Sequence, residues 1–270
     1  MKTLRTAKIL RTAAVGALAL AAALSGIQLG NAPNASAAGT KTLKTFTSAG
    51  TTSQYHVYAA GTGDPKGILF YLDGDGQWAF NHPTSPYALG GSKGIVAKAR
   101  ARGYITVVVK TPDRKGTATW WEDGAKNAKY FDALRRKVQA KYPKAEQVWL
   151  AGYSGGAEFL TESYLPRYPS AISHGGGAVL LGGGNAPYQK AKAFPKAKAA
   201  KFAMHWYTGT ADTAKNSDAG FDAIGQAKAG KAWYAKRGFR TTSKYPAGVG
   251  HDLTGRFGGV IAAALDKNKP

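Results

Sequence analysis

The chain has 270 residues, a formal net charge of +22 at pH 7, 44% hydrophobic residues and no cysteine. Without thiols it can form no disulfide, no thiolate metal site and no cysteine nucleophile, so its stability has to come from packing. The length suits a single α/β domain with a large core.

Lys2, Arg5, Lys8 and Arg11 precede an uncharged Ala/Leu-rich run from Thr12 to Leu29, and Ala35-Ser36-Ala37 follows. This order predicts an export signal over residues 1–38 and a mature domain over 39–270. Ser25, Gly26 and Gln28 interrupt the run, whereas a spanning helix needs about 20 mostly apolar residues. The expectation is therefore a secreted protein with no membrane association after cleavage. Losing the four leader cations leaves a net charge of +18, which favours weak, salt-dependent contact with anionic surfaces and polymers. Lysine and alanine alternate from Lys190 to Lys201, a pattern read as a solvated surface excursion. Specific nucleic-acid recognition, which clusters arginine and aromatics, is not expected.

Strands are predicted at Thr42 to Thr47, Tyr55 to Ala59, Ile68 to Leu72, Ile105 to Val109, Val148 to Ala151, Ala178 to Leu181, Phe202 to Tyr207 and Phe239 to Tyr245. The first two pair as an antiparallel lead-in, and from there strands alternate with helices. Helices are predicted at Ile95 to Arg102, Ala125 to Lys141, Ala157 to Leu165, Ala219 to Arg237 and Arg256 to Leu265. In the second, Ala128, Phe131, Leu134, Val138 and Ala140 fall near a helical period; the third stops at Pro166 and the fourth at Gly238. The fold class is α/β, a doubly wound and mostly parallel sheet in one domain without a large cap. Two long loops, Gly74 to Ser92 and Pro112 to Gly124, end strands where sites are usually built.

The decisive segment is Gln147-Val-Trp-Leu-Ala-Gly152-Tyr-Ser154-Gly155-Gly156-Ala-Glu-Phe-Leu, a strand running through Gly-x-Ser-x-Gly into a helix. A nucleophile elbow needs small residues at Gly152 and Gly156 because the turn brings backbones into contact. With 35 glycines in the chain the pattern also arises by chance at Gly90-Gly-Ser92-Lys-Gly94, but a proline-rich loop precedes that copy, which makes Ser92 a residue near a helix start. A near P-loop, Gly225 to Lys231, falls inside a predicted helix and has Ala232 where magnesium needs a hydroxyl.

Five histidines are present, and only His174, His205 and His251 follow Ser154. In hydrolases built on such an elbow the acid and then the base follow the nucleophile along the chain. His205 lies within an apolar strand and reads as a core histidine, whereas His251, in Ala247-Gly-Val-Gly-His251-Asp-Leu, follows the last strand and leads into the final helix. The carboxylates between are Glu158, Glu162, Asp212, Asp218 and Asp222. Glu158 and Glu162 belong to the nucleophile helix, Asp222 to the next, and Asp218 reads as a helix cap. Asp212, directly after a strand, is the acid that holds and orients the imidazole. The amides of Gly155 and Asp75, the latter in Leu72-Asp73-Gly74-Asp75-Gly76, are the expected oxyanion donors. Asp-Gly-Asp-Gly lacks the full calcium-loop spacing, so neither metal nor cofactor is expected.

On these residues the chain resembles the α/β-hydrolase superfamily, and within it the secreted actinobacterial esterases similar to polyhydroxybutyrate depolymerases and feruloyl or acetylxylan esterases. The resemblance covers nearly the whole mature chain. It implies Gly152, Ser154 and Gly156 as the elbow, Asp212 as the acid and His251 as the base. Where the family often has His-Gly at the oxyanion strand end, this chain has Asp73-Gly74. An uncapped site suits an ester carried on a polymer, and Trp78, Trp120 and Trp121 are the candidate substrate-binding residues. A serine peptidase on the same triad, and a non-catalytic basic protein bound to anionic cell-wall polymers, are the competing readings.

Overall fold

Four consecutive strands are mostly apolar and buried along nearly their whole length, as strands are when helices cover both faces of a parallel sheet. They are β3 (Gly67–Leu72), β4 (Tyr104–Val109), β5 (Gln147–Tyr153) and β6 (Gly176–Leu181). In the computed structural model, which describes residues 42–59, 61–217 and 219–267, these form the centre of an eight-stranded sheet. β1 (Leu43–Ser48) and β2 (Thr51–Tyr58) flank them on one side, β7 (Ala203–Tyr207) and β8 (Arg240–Lys244) on the other. The order is β1-β2-β4-β3-β5-β6-β7-β8. The first hairpin and the β2–β4 pair are antiparallel, and all other pairs are parallel. The leader read at residues 1–38 and the proposed cap Asp218 lie outside the described residues.

The helices are α1 (Trp78–Asn81), α2 (Ile95–Arg100), α3 (Gly124–Lys141), α4 (Gly155–Glu158), α5 (Leu165–Arg167), α6 (Lys196–Ala199), α7 (Ala223–Ala235) and α8 (Phe257–Lys267). Side chains alternate across a strand, so Ile68, Phe70 and Leu72 face a core with Phe131, Leu134, Phe159 and Tyr234, beneath α3 and α7. Leu69 and Tyr71 face the other core, with Ile95, Ala99, Ile261 and Leu265 beneath α2 and α8. Among the described residues no helix is long and apolar enough to cross a membrane.

Three local expectations are corrected. In α3 the exposed Ala140 is not part of the buried face, which takes in Asp132 and Arg135 instead. They are affordable there because Asp132 Oδ1 accepts from Arg135 Nη2 at 2.8 Å and from the Tyr164 hydroxyl at 3.1 Å. The helix expected over Ala157 to Leu165 is α4 followed by a wide π turn, Phe159–Tyr164, and then α5. Pro166 has no N–H to offer the Glu162 carbonyl, which accepts from Gln189 Nε2 at 3.1 Å, while Tyr234 donates to the Thr161 carbonyl at 2.6 Å. The cap of α7 is Asp222, whose carboxylate accepts from the Gly225 amide at 3.1 Å.

Candidate active site

Parallel strands end together, so the loops after β3, β5, β6 and β7 gather at one edge of the sheet. β5 ends at Tyr153, and Ser154 turns the chain into α4 with φ 50° and ψ −121°. An L-residue held there stores on the order of 1–3 kcal/mol of strain. The surroundings impose it: the Ser154 amide donates to the Leu181 carbonyl at 2.9 Å, and its own carbonyl accepts from Ala157 and Glu158 at 2.8 and 3.0 Å. A Cβ on Gly152 would meet the Gly156 backbone at 2.6 Å, and one on Gly156 would meet the Leu72 carbonyl oxygen at 2.3 Å. The spacing of the two glycines is therefore a packing requirement.

The loops that carry Asp212 and His251 are built as one piece. The amides of Thr210 and Ala211 donate to the carbonyls of Pro246 and Val249, both at 3.0 Å, and the Gly248 amide donates to Thr210 Oγ1 at 3.0 Å. Only glycine fits at Gly209, where a Cβ would lie 1.9 Å from the Val249 oxygen. This clasp brings His251 Nδ1 to 2.8 Å from Asp212 Oδ2 and His251 Nε2 to 2.9 Å from Ser154 Oγ. The Asp212 side chain is 2% exposed and that of His251 37%. A buried carboxylate thus backs an imidazole that solvent can reach.

Two residues that the sequence did not single out hold the imidazole. Tyr153 stacks on it at 5.2 Å between centroids, and Phe221 meets it edge-on at 5.5 Å. Tyr153 occupies the variable position of the elbow motif, so no pattern marked it.

The loop after β3 lies directly over the elbow. A Cβ on Gly155 would meet Asp75 Oδ1 at 2.1 Å, and one on Gly74 would meet the Tyr153 ring at 3.0 Å. Gly155 opens α4, where the first amides have no partner within the helix. The loop's shape comes from two buried side chains. Asp73 accepts from the Gly74 amide at 3.0 Å, the Phe80 amide at 3.1 Å and the Tyr71 hydroxyl at 3.1 Å. Burial raises the pKa of this carboxyl, and those hydrogen bonds oppose the rise. Gln77, fully buried with φ 56°, donates to the Gly74 carbonyl at 2.8 Å and accepts from the Thr111 amide at 3.1 Å. The Asp73-Gly74 departure is thus a scaffold for α1 and its loop.

The three tryptophans separate. Trp78 is 46% exposed and stacks on His82 at 4.4 Å between centroids, with Tyr87 edge-on at 4.9 Å. Trp121 is half buried, and its Nε1 donates to Asp75 Oδ2 at 2.9 Å beside Gly155. Trp120 is fully buried against Phe159 and Phe131. It packs the loop onto α3 and cannot touch a substrate, because the aromatic that points inward fills the core left by two phenylalanines.

The remaining sequence candidates fall away from this site. His205, within β7, stacks on Trp149, and burial with Lys267 and Arg240 nearby lowers its pKa to about 4. Ser92 is exposed just before Gly94, the cap residue of α2, and Gly225 to Lys231 lie inside α7. Among the described residues no group of histidine and carboxylate side chains could hold a metal ion.

No protein-family model and no curated protein sequence matches the chain. Solved structures do. A Bacillus cereus carboxylesterase superposes with a TM-score of 0.59 at 18% identity, over 80% of this chain and 94% of that one. XC6422 from Xanthomonas campestris, described as an a/b serine hydrolase without lid, has a TM-score of 0.56 at 14% identity, over 84% of this chain and 94% of the other. This chain has the α/β-hydrolase fold. Esterase PE8 is similar in the same way, with a TM-score of 0.55 at 14% identity, over 79% and 97% of the two chains. The described residues form one α/β-hydrolase domain without a large cap, and Ser154, Asp212 and His251 lie in the segments that follow β5, β7 and β8.

Proposed function

We propose that this protein is a serine hydrolase that cleaves carboxylic esters through an acyl-enzyme. One observation carries the reading: the unbroken hydrogen-bond path from Ser154 Oγ through both nitrogens of His251 to Asp212 Oδ2, at 2.9 and 2.8 Å. With Nδ1–H donated to the buried carboxylate, Nε2 is the acceptor. It takes the Ser154 proton as Oγ bonds to the ester carbon, and the carbonyl π pair moves onto oxygen. When that pair returns, the C–O bond to the alcohol breaks and His251 gives its proton to the departing alkoxide. Water, deprotonated by the same nitrogen, then repeats the sequence and frees the acid. Such general-base help is worth about 10²–10⁴ in rate. The amides of Gly155 and Asp75 supply the oxyanion donors in this scheme, each worth on the order of 10²–10³.

The uncapped edge with Trp78 and Trp121 at its rim supports an ester presented on a polymer or other large molecule. The basic, apolar and small-residue order of residues 1–38 supports an exported enzyme, and N-terminal sequencing of protein from the culture medium should begin near Ala38. The purified protein should react with a fluorophosphonate probe and hydrolyse short p-nitrophenyl esters, and Ser154→Ala should do neither. A peptide panel that is turned over faster than the ester panel would move the reading to a peptidase. No labelling at all would leave a binding protein on a hydrolase scaffold.

A further inference from the structure

The lysine-rich stretch before β7 is anchored rather than loose. Its start is held by Gln189, which donates to the Glu162 carbonyl and accepts from Arg167 Nη2 at 2.5 Å, and the Lys192 amide donates to the Pro166 carbonyl at 2.9 Å. Phe194 then packs edge-on against Phe239 at 4.9 Å. Between this stretch and the end of α7 lies an open groove of about 900 Å³. Lys190, Lys192, Lys196, Lys236 and Arg237 line it, all exposed, and no acidic residue does. Among the described residues none of these cations has a carboxylate within 4.0 Å.

We propose that this groove binds a linear carboxylated polysaccharide. Five like charges gathered along a preformed trough, with no carboxylate among the described residues to pair with them, repel one another and gain from a ligand that carries repeated anions. Four of the five are lysines, compact point charges that can each meet one carboxylate along a chain. The aromatic floor offers no platform for stacked bases, because the Arg237 guanidinium already lies 3.3 Å from the centre of the Trp233 ring and Phe194 is packed by Phe239. α7 begins beside the acid loop, where the Ile224 amide donates to the Asp212 carbonyl, and its 13 residues place the groove about 20 Å from the catalytic edge. A polymer held here leaves the Ser154 cleft open, so binding does not depend on the proposed chemistry.

The test is binding of the purified protein to polygalacturonate across a salt series, with oligothymidylate as the competing polyanion. Lys190→Glu, Lys192→Glu, Lys196→Glu and Lys236→Glu are combined in one variant. The same reversal at the exposed Lys44, Lys93, Lys126 and Lys129 makes a control of equal net charge. The groove variant should lose at least tenfold in polygalacturonate affinity and show a shallower salt dependence; the control should lose less than threefold, and both should hydrolyse p-nitrophenyl acetate like the parent. Lys→Gln at the same four positions gives a milder variant should the reversal unfold the chain. Equal losses in groove variant and control would place binding on the whole basic surface and overturn the proposal. So would an oligothymidylate affinity that depends on the four lysines more than the polygalacturonate affinity does.

Discussion

Tyr153 and His251 are joined twice, by a ring stack 5.2 Å between centroids and by a hydrogen bond of 2.9 Å from the Tyr153 hydroxyl to the His251 carbonyl. The residue before Ser154 thereby holds the loop that carries His251. Burial first, and Tyr87 beside it, raise the tyrosine's pKa well above its ordinary value, so the hydroxyl remains a donor through the working pH range. Tyr153→Phe keeps the stack and removes the bond. One net hydrogen bond is worth about 0.5–1.5 kcal/mol, so kcat on p-nitrophenyl acetate should fall about 3- to 10-fold, with KM little changed. An unaltered kcat would mean that the stack alone fixes the loop.

Asp212→Asn keeps the shape of the acid but removes the charge that selects the Nδ1–H tautomer and stabilises imidazolium. Turnover should fall by about 10⁴, as expected when that tautomer is lost. Steady-state kinetics beside a thermal melt check it, and a small loss would assign the supporting acid elsewhere.

Gly156→Ala should cost both stability and activity. The new methyl would sit 2.3 Å from the Leu72 oxygen and 2.7 Å from that of Asp73, and overpacking against backbone costs about 1–3 kcal/mol. Urea unfolding reads the first effect and ester turnover the second.

The adjacent tryptophans should part company under alanine substitution. Trp120→Ala empties a fully buried site and should destabilise by about 3–5 kcal/mol. Trp121→Ala should hardly move the urea midpoint, yet it removes the Asp75 Oδ2 partner beside Gly155, and its effect should appear in KM and kcat for bulky esters.

His205 makes a pH prediction. Its pKa is lowered to about 4 in the folded chain from an ordinary 6.5, so the unfolded chain binds the proton more readily. Its stabilising contribution is complete above pH 6.5 and is lost as pH falls through 6.5 toward 4. The drop in thermal midpoint from pH 7 to pH 4.5 should be smaller in His205→Gln than in the parent.

Much of the site was legible because its constraints are local. Gly152, Ser154 and Gly156 are fixed by one tight turn between a strand and a helix, and neighbours in sequence suffice to specify it. Asp212 and His251 could be chosen because each follows a strand, and strands in a parallel sheet end at a common edge. The apolar runs of β3 to β6 announced the sheet centre for the same reason: burial on both faces leaves no polar alternation to confuse the reading.

What only the folded chain decided depends on contacts between residues far apart in sequence. Trp120 and Trp121 are neighbours with opposite surroundings, one filling a core of Phe131 and Phe159 and the other reaching Asp75. The π turn after α4 is bonded by Tyr234 and Gln189, and the clasp of the acid and histidine loops is made across almost forty residues. Local sequence sets backbone preferences and the period of burial; the partner that completes a hydrogen bond or fills a core is supplied by tertiary packing.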